Sequence, residues 1–256
     1  MLTRFGGQHK HIVTLLATMT CRVNDDTTHY LLFPCADMDL LKYWENQGKP
    51  IPDIKHFKWI AEQCCGIAGA VAFIHNPQAL NADNRPIYGR HGDIKPENVL
   101  FFDSGDGMGN LILSDLGLAV EHRDTSRSNI PGFQTPGTPN YRPPECDMAY
   151  DETTKHGHVS RAFDIWTLGC LFLEFMVWTL KGWEGRQDFR NSRLNSPYFK
   201  DYKTDVYFKI ELATQDSDAG DFTLKDEVIE VGARPSMARF GHGLADSPTV
   251  FPSTPS

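Results

Sequence analysis

Tyr88-Gly89-Arg90-His91-Gly92-Asp93-Ile94-Lys95-Pro96-Glu97-Asn98-Val99-Leu100-Phe101-Phe102 is the stretch on which the reading of this chain turns. It sets an acid (Asp93), a cation (Lys95) and an amide (Asn98) at fixed steps, then runs directly into four apolar residues. Such a loop can receive a hydroxyl proton, steady a phosphate and ligate a divalent cation. The apolar residues 99–102 read as a strand.

The chain around it has 256 residues, enough for one or two domains with a substantial core. Hydrophobic content of 40% and charged content of 23% are those of a soluble globular protein. A formal net charge of -8 argues against a nucleic-acid binder, which needs a basic face. The six cysteines form no C-x-x-C pair and read as buried reduced thiols of an intracellular protein, cytoplasmic or nuclear. No signal-peptide core opens the chain, and the most apolar run, 165–180, is too short for a bilayer and contains Glu174. It reads as a buried core helix, so no membrane partner is expected.

Residues 11–20 and 29–33 read as strands joined by a turn at Asn24-Asp25-Asp26, an antiparallel pair. Residues 40–47 read as a short helix closed by Gly48. From Pro52-Asp53 a long helix runs to about His75, with Phe57, Ile60, Ala61, Cys64, Ala68, Val71, Ala72 and Ile74 near 3.6 spacing. The glycine cluster 105–109 reads as a hairpin turn between strands 99–102 and 111–113. Residues 114–145 are polar and irregular, the signature of a functional segment. A helix over 161–180 follows, after which periodicity weakens, and 231–256, rich in Gly, Ser and Pro, reads as a disordered tail.

His91-Gly92-Asp93-Ile94-Lys95-Pro96-Glu97-Asn98 resembles the catalytic loop of eukaryotic protein kinases, H-R-D-x-K-x-x-N, with Gly92 in place of Arg. Leu113-Ser114-Asp115-Leu116-Gly117, 22 residues after Asp93, resembles the D-F-G motif. Gly137-Thr138-Pro139-Asn140-Tyr141-Arg142-Pro143-Pro144-Glu145 resembles the segment ending in A-P-E, and Asp164-Ile165-Trp166-Thr167-Leu168-Gly169 resembles the start of the central helix of the large lobe. The resemblance implies an α+β, protein kinase-like fold, mostly the helical C-lobe with a two-strand remnant of the N-lobe. It divides the chain into 1–33 (strands four and five), 34–230 (hinge and C-lobe) and the tail.

The resemblance also implies roles. Asp93 accepts the proton of a substrate hydroxyl and Lys95 stabilises charge on the transferring phosphoryl group. Asn98 and Asp115 hold Mg²⁺, and Gly117 gives the segment backbone freedom. Thr138 lines the substrate site and bonds the Asp93 and Lys95 pair. Cys35, Asp39 and Leu100 contact the nucleotide of ATP. His91 and Asp164 are structural, Asp164 by accepting backbone hydrogen bonds from the catalytic loop. Glu145 is a structural anion awaiting an Arg from a late helix, and Arg234-Pro235-Ser236 offers one. Lys two residues after Asp93 is the serine/threonine pattern, so the implied partner is a protein bearing Ser or Thr. Details such as Gly89-Arg90-His91-Gly92-Asp93 look most like a fungal group of serine/threonine kinase-like proteins.

The pattern departs from the family at several places, among them Leu116 for Phe, Pro143 for Ala and late helices that are not recognisable, and two departures bear on the chemistry. No glycine-rich G-x-G-x-x-G-x-V and no V-A-I-K-type lysine precedes the hinge, and these clamp the ATP phosphates. A scaffold or decoy module without catalysis is therefore the alternative. Gly92 removes the Arg that pairs with a phosphorylated segment, so a phosphate on Thr125, Ser126 or Ser128 would have to use Arg90, Arg123 or Arg127.

Overall fold

The computed structural model describes residues 7–24, 26–50, 52–76, 79–80, 86–105, 108–122, 127–131, 137–147, 158–211 and 221–233. Two strands, β1 (Ala17–Val23) and β2 (Asp26–Leu32), form an exposed antiparallel ribbon with Ala17 opposite Leu32 and Val23 opposite Asp26. Asn24 takes φ 55° in the turn, a left-handed conformation its short polar side chain tolerates. The first strand thus starts later than the residue pattern over 11–20 suggests. The reason is that residues 11–13 are drawn into the core instead. His11, Ile12 and Val13 are buried, and their backbone pairs in parallel with Leu113 through Val13 N to Leu113 O (2.9 Å) and Leu113 N to His11 O (2.8 Å). The His11 ring occupies the space where Gly66 lacks a side chain.

Helix α1 (Leu40–Gln47) follows the short β3 (Met38–Asp39). Asp39 caps it by accepting from Lys42 N at 2.8 Å, and Gly48, at φ 60°, closes it. Helix α2 (Ile54–His75) is capped by Asp53, which accepts from Lys55 N at 3.1 Å. Its buried side includes Trp59, Ile67, Ala70, Val71 and Ile74. Strand β4 (Pro86–Arg90) leads into the 91–98 loop, and β5 (Val99–Phe102) and β6 (Asn110–Leu113) leave it as a hairpin with Val99 opposite Leu113. Strand β7 (Val120–His122) returns to pair with β4. Helix α2 clamps the hairpin from the side: Trp59 Nε1 donates to Gly109 O (2.7 Å) and Gln63 Oε1 accepts from Leu111 N (2.8 Å).

The last described third is built on α3 (Ala162–Asn195). It is two helical pieces joined at Gly182, whose φ of 76° and ψ of -170° are not helical. A side chain there would meet Lys49 Cβ at 3.0 Å, and Trp183 N donates to Gly48 O at 2.6 Å. The second piece lies beyond the single helix read from sequence. A hairpin, β8 (Phe208–Glu211) with β9 (Asp221–Leu224), and α4 (Asp226–Ala233) complete the fold. Helix α4 runs three residues into the stretch read as tail; 234–256 lie outside the described residues.

One core joins α1, α2, α3 and the β5–β6 hairpin around Tyr43, Trp44, Phe101, Phe175 and Trp178. This is the expected α+β arrangement. Helices α2 and α3 are each long and apolar enough to cross a bilayer by length and composition, but here their apolar residues form this core. All six cysteines are free thiols. Cys146 and Cys170 are buried, whereas Cys21, Cys35 and Cys65 are exposed, which corrects the expectation of uniform burial.

Candidate catalytic loop

The loop is held from below by a single carboxylate. Asp164, in the first turn of α3 and fully buried, accepts from His91 N (2.7 Å) and Gly92 N (2.8 Å). His75, the last residue of α2, donates from Nε2 to the same group at 2.8 Å. Arg161 Nη1 in turn donates to His75 O at 2.6 Å. Burial pushes the Asp164 carboxyl up, but His75, the nearby His91 and the Gly92 amide outweigh it and hold it below the usual carboxylate range.

His91 is fully buried, and burial holds its pKa below the usual imidazole value despite the neighbouring Asp164. A neutral ring agrees with its contacts, because Nδ1 accepts from Asp93 N (3.3 Å) while Nε2–H donates to Ser114 O (2.9 Å). That second bond ties the loop to the Asp115 segment. Ser114 completes the tie by donating from N (2.8 Å) and Oγ (2.9 Å) to Asn98 O.

On this frame Asp93, Lys95, Asn98 and Thr138 form a hydrogen-bonded cluster. Asp93 Oδ2 accepts from Lys95 Nζ (2.8 Å) and Asn98 Nδ2 (2.9 Å). Its Oδ1 accepts from Thr138 Oγ1 (2.7 Å) and Thr138 N (3.2 Å), and Lys95 Nζ also donates to Thr138 Oγ1 at 2.7 Å. Burial raises the Asp93 pKa, but the bonds from Lys95, Thr138 and Asn98 together hold it below the usual carboxylate value. Asp93 is therefore a preorganised anion, 8% exposed, with a cation and a hydroxyl at its side.

The metal candidates are Asn98, a member of that cluster, and Asp115, at the start of the 3-10 turn Leu116–Leu118. Asn98 spends its amide nitrogen on Asp93 O and Oδ2, which leaves its amide oxygen for a ligand. Asp115 is exposed and accepts from Gly117 N at 3.1 Å through Oδ1. A carboxylate and an amide oxygen are the donor types that Mg²⁺ takes alongside water and phosphate oxygens. The left-handed residue of this turn is Asp115 (φ 57°), not Gly117. A side chain on Gly117 would meet Asp115 Oδ1 at 2.9 Å, so the glycine makes room for the carboxylate rather than supplying backbone freedom.

The remaining candidates lie on or beside strand β3. Asp39 and Leu100 face each other across β3 and β5, and Cys35 is exposed just before β3. One oxygen of Asp39 is committed to the α1 cap.

Glu145 sits in the short 3-10 turn Pro144–Cys146. Among the described residues it has no ion pair, and Arg234 lies outside them. The late-helix arginines Arg186 and Arg193 go to Glu174 instead. Burial raises the Glu145 pKa, opposed by the charge of Arg90. Arg90 is itself 1% exposed, with its guanidinium 5.4 Å from the Phe163 ring centre. It cannot receive a phosphate at the surface, which corrects its candidacy for that task; Thr125, Ser126 and Arg123 lie outside the described residues.

Gly92 has φ +86°, and a side chain there would meet Leu118 O at 3.0 Å. Replacing it by Arg is expected to lower stability by about 1–3 kcal/mol. An unchanged or raised thermal midpoint would show that the backbone is free to accept the side chain.

Residues 1–229 match the protein kinase domain family. Serine/threonine-protein kinase SSN3 of Yarrowia lipolytica is 28% identical over 198 residues, covering 74% of this chain and 41% of that protein. Probable cyclin-dependent kinase 8 of Dictyostelium discoideum is 28% identical over 175 residues, covering 66% of this chain and 39% of that protein. The yeast RNA Pol II CTD kinase CTDK-1 complex aligns with a TM-score of 0.47 and 24% identity, covering 68% of this chain and 47% of that one. The chain thus spans about two fifths of the length of these curated relatives. With the family matched over residues 1–229 and relatives named as serine/threonine kinases, this chain belongs to the protein kinase family.

Proposed function

We propose that the chain forms the substrate-side part of an intracellular protein serine/threonine kinase domain. The reaction is ATP-dependent phosphoryl transfer to a Ser or Thr hydroxyl of a protein. The observation that carries this reading is the closed set of bonds among Asp93, Lys95, Asn98 and Thr138. In it, the ionised Asp93 orients the incoming hydroxyl and takes its proton. Lys95, already against Asp93, places positive charge where the transferring group arrives. Thr138 fixes both and shapes the substrate side. Mg²⁺, held by Asn98 and Asp115, would neutralise charge on the ATP phosphates when bound. Cys35, Asp39 and Leu100 line the adenosine side.

The test is transfer of radiolabelled phosphate from Mg-ATP to a generic basic protein by the 256-residue chain. Asp93→Asn is expected to cut the rate by about 10²–10⁴. Transfer that survives this change would refute the assignment. The alternative reading is a binding module without catalysis. No transfer by the unaltered chain, together with no thermal shift on adding Mg-ATP, would select it.

A further inference from the structure

Arg90 is the last residue of β4 and stands one position before the loop that carries Asp93. It is buried, and burial lowers its pKa while Asp164, Cys146 and Glu145 oppose that. Two of its nitrogens, Nε and Nη1, have no hydrogen-bond partner among the described residues. A guanidinium held this way costs desolvation that an apolar side chain of similar length would not. Its close neighbour is an aromatic ring: the guanidinium carbon lies 5.4 Å from the centre of Phe163. Phe163 is buried too, and it clusters with Cys146 and Val159. A cation over a ring, out of water, is a directional contact that fixes the ring.

The ring in turn bears on the segment that carries Thr138. A side chain on Gly137 would meet Phe163 Cζ at 3.3 Å and Gly92 O at 3.5 Å, so the bare Gly137 backbone is wedged between the ring and the loop. The next residue, Thr138, donates from N (3.2 Å) and Oγ1 (2.7 Å) to Asp93 Oδ1. Contact therefore runs from Arg90 through Phe163 and Gly137 to the residue that binds the Asp93 carboxylate. We propose that Arg90 is a positioning residue: by fixing the Phe163 ring it keeps Gly137 in place and so holds Thr138 on Asp93. The substrate side of the site is then set from inside the fold by a permanent cation. The kinetic consequence rests on the phosphoryl-transfer reading, whereas the effect on the Thr138 segment does not.

Two variants of the full chain separate this role from plain space-filling. Arg90→Met keeps length and removes the charge, and it is expected to keep or exceed the thermal midpoint of the unaltered chain. Amide exchange at Thr138 and Tyr141 should nevertheless quicken about tenfold, with α2 unchanged. In transfer assays KM for the protein substrate should rise about tenfold while KM for ATP stays the same. A merely structural loss would lower the active fraction and move neither KM. Arg90→Lys retains the cation and is expected to regain part of both effects. A Met variant that fails to fold, unchanged exchange at Thr138, faster exchange that extends equally to α2, or a Lys variant no better than Met would overturn the assignment. Absence of transfer by the unaltered chain would count against the phosphoryl-transfer reading alone, and the exchange measurement would still decide the role of Arg90.

Discussion

Replacing Asp164 by alanine is expected to cost about 3–5 kcal/mol of conformational stability. That is a large share of a total of about 5–15 kcal/mol for a domain. The carboxylate is fully buried and answers two backbone amides, His91 N and Gly92 N, as well as the His75 ring. Alanine leaves all three donors dry and unpaired. Asp164→Asn is the informative control. Its one remaining oxygen can keep one backbone donor while its NH₂ faces the other, so an intermediate loss of about 1–3 kcal/mol is expected. Urea unfolding at constant slope reads both values. A loss below about 1 kcal/mol for the alanine variant would mean that the loop does not depend on this anchor.

The same groups set the acid response. The folded pKa of Asp164 lies below its ordinary value, so the unfolded chain binds the proton first. Its contribution is complete above about pH 4 and is lost as pH falls through the folded value. Burial likewise holds His91 below its ordinary value, so its contribution is complete above about pH 6.5 and declines below it. Glu145 works in the opposite sense, because burial raises its pKa and the folded form takes the proton first. Stability is therefore expected to begin falling near pH 6.5 and to fall more steeply below about pH 4. In Asp164→Asn the upper step should persist while the lower one flattens. A flat profile between pH 7 and 5 would contradict the neutral, buried His91.

Much of this was legible in the sequence because its signals are local. Helix α1 is bracketed by Asp39 and Gly48, and α2 by Asp53 and Asn76, and periodicity fills both. Asp93, Lys95 and Asn98 sit within six residues, so their meeting follows from one loop. What escaped depends on partners distant in the chain. His75 looks like an ordinary basic residue at a helix end, yet its ring lies on Asp164, 89 positions away. Arg90 reads as a surface cation until β4 and α3 close over it. Residues 11–13 carry the β-branched pattern of a ribbon strand, and only their pairing with Leu113 takes them out of it. Glu174 is the clearest case. In sequence it serves only to show that an apolar run is no membrane span, because none of its four partners is within its own helical turn.

That residue carries the second large effect. Glu174 is 2% exposed and accepts from Arg186 Nε (2.9 Å), Arg193 Nη2 (3.0 Å), Tyr141 Oη (2.9 Å) and Tyr207 Oη (2.7 Å). Burial raises its pKa, but the two arginines outweigh this and hold it below the usual value. Arg193 is 1% exposed, with the rings of Phe189 and Tyr207 4.2 and 4.1 Å from its guanidinium. Glu174→Leu is expected to cost about 3–5 kcal/mol, chiefly because it strands two buried cations rather than because it deletes an attraction. The distinction is measurable. Adding Arg186→Met and Arg193→Met to Glu174→Leu should recover much of the loss, since an ion cluster replaced by apolar groups of similar volume is often neutral or stabilising. If the triple variant is no more stable than the single one, stranded charge is not the cause. Recovered stability should still leave Tyr141 without its acceptor. Tyr141 lies three residues beyond Thr138, whose hydroxyl bonds both Asp93 and Lys95. Under the phosphoryl-transfer reading proposed above, the stable triple variant is expected to transfer phosphate more slowly than the unaltered chain. A full return of activity with stability would show that the Thr138 segment holds its place without Glu174.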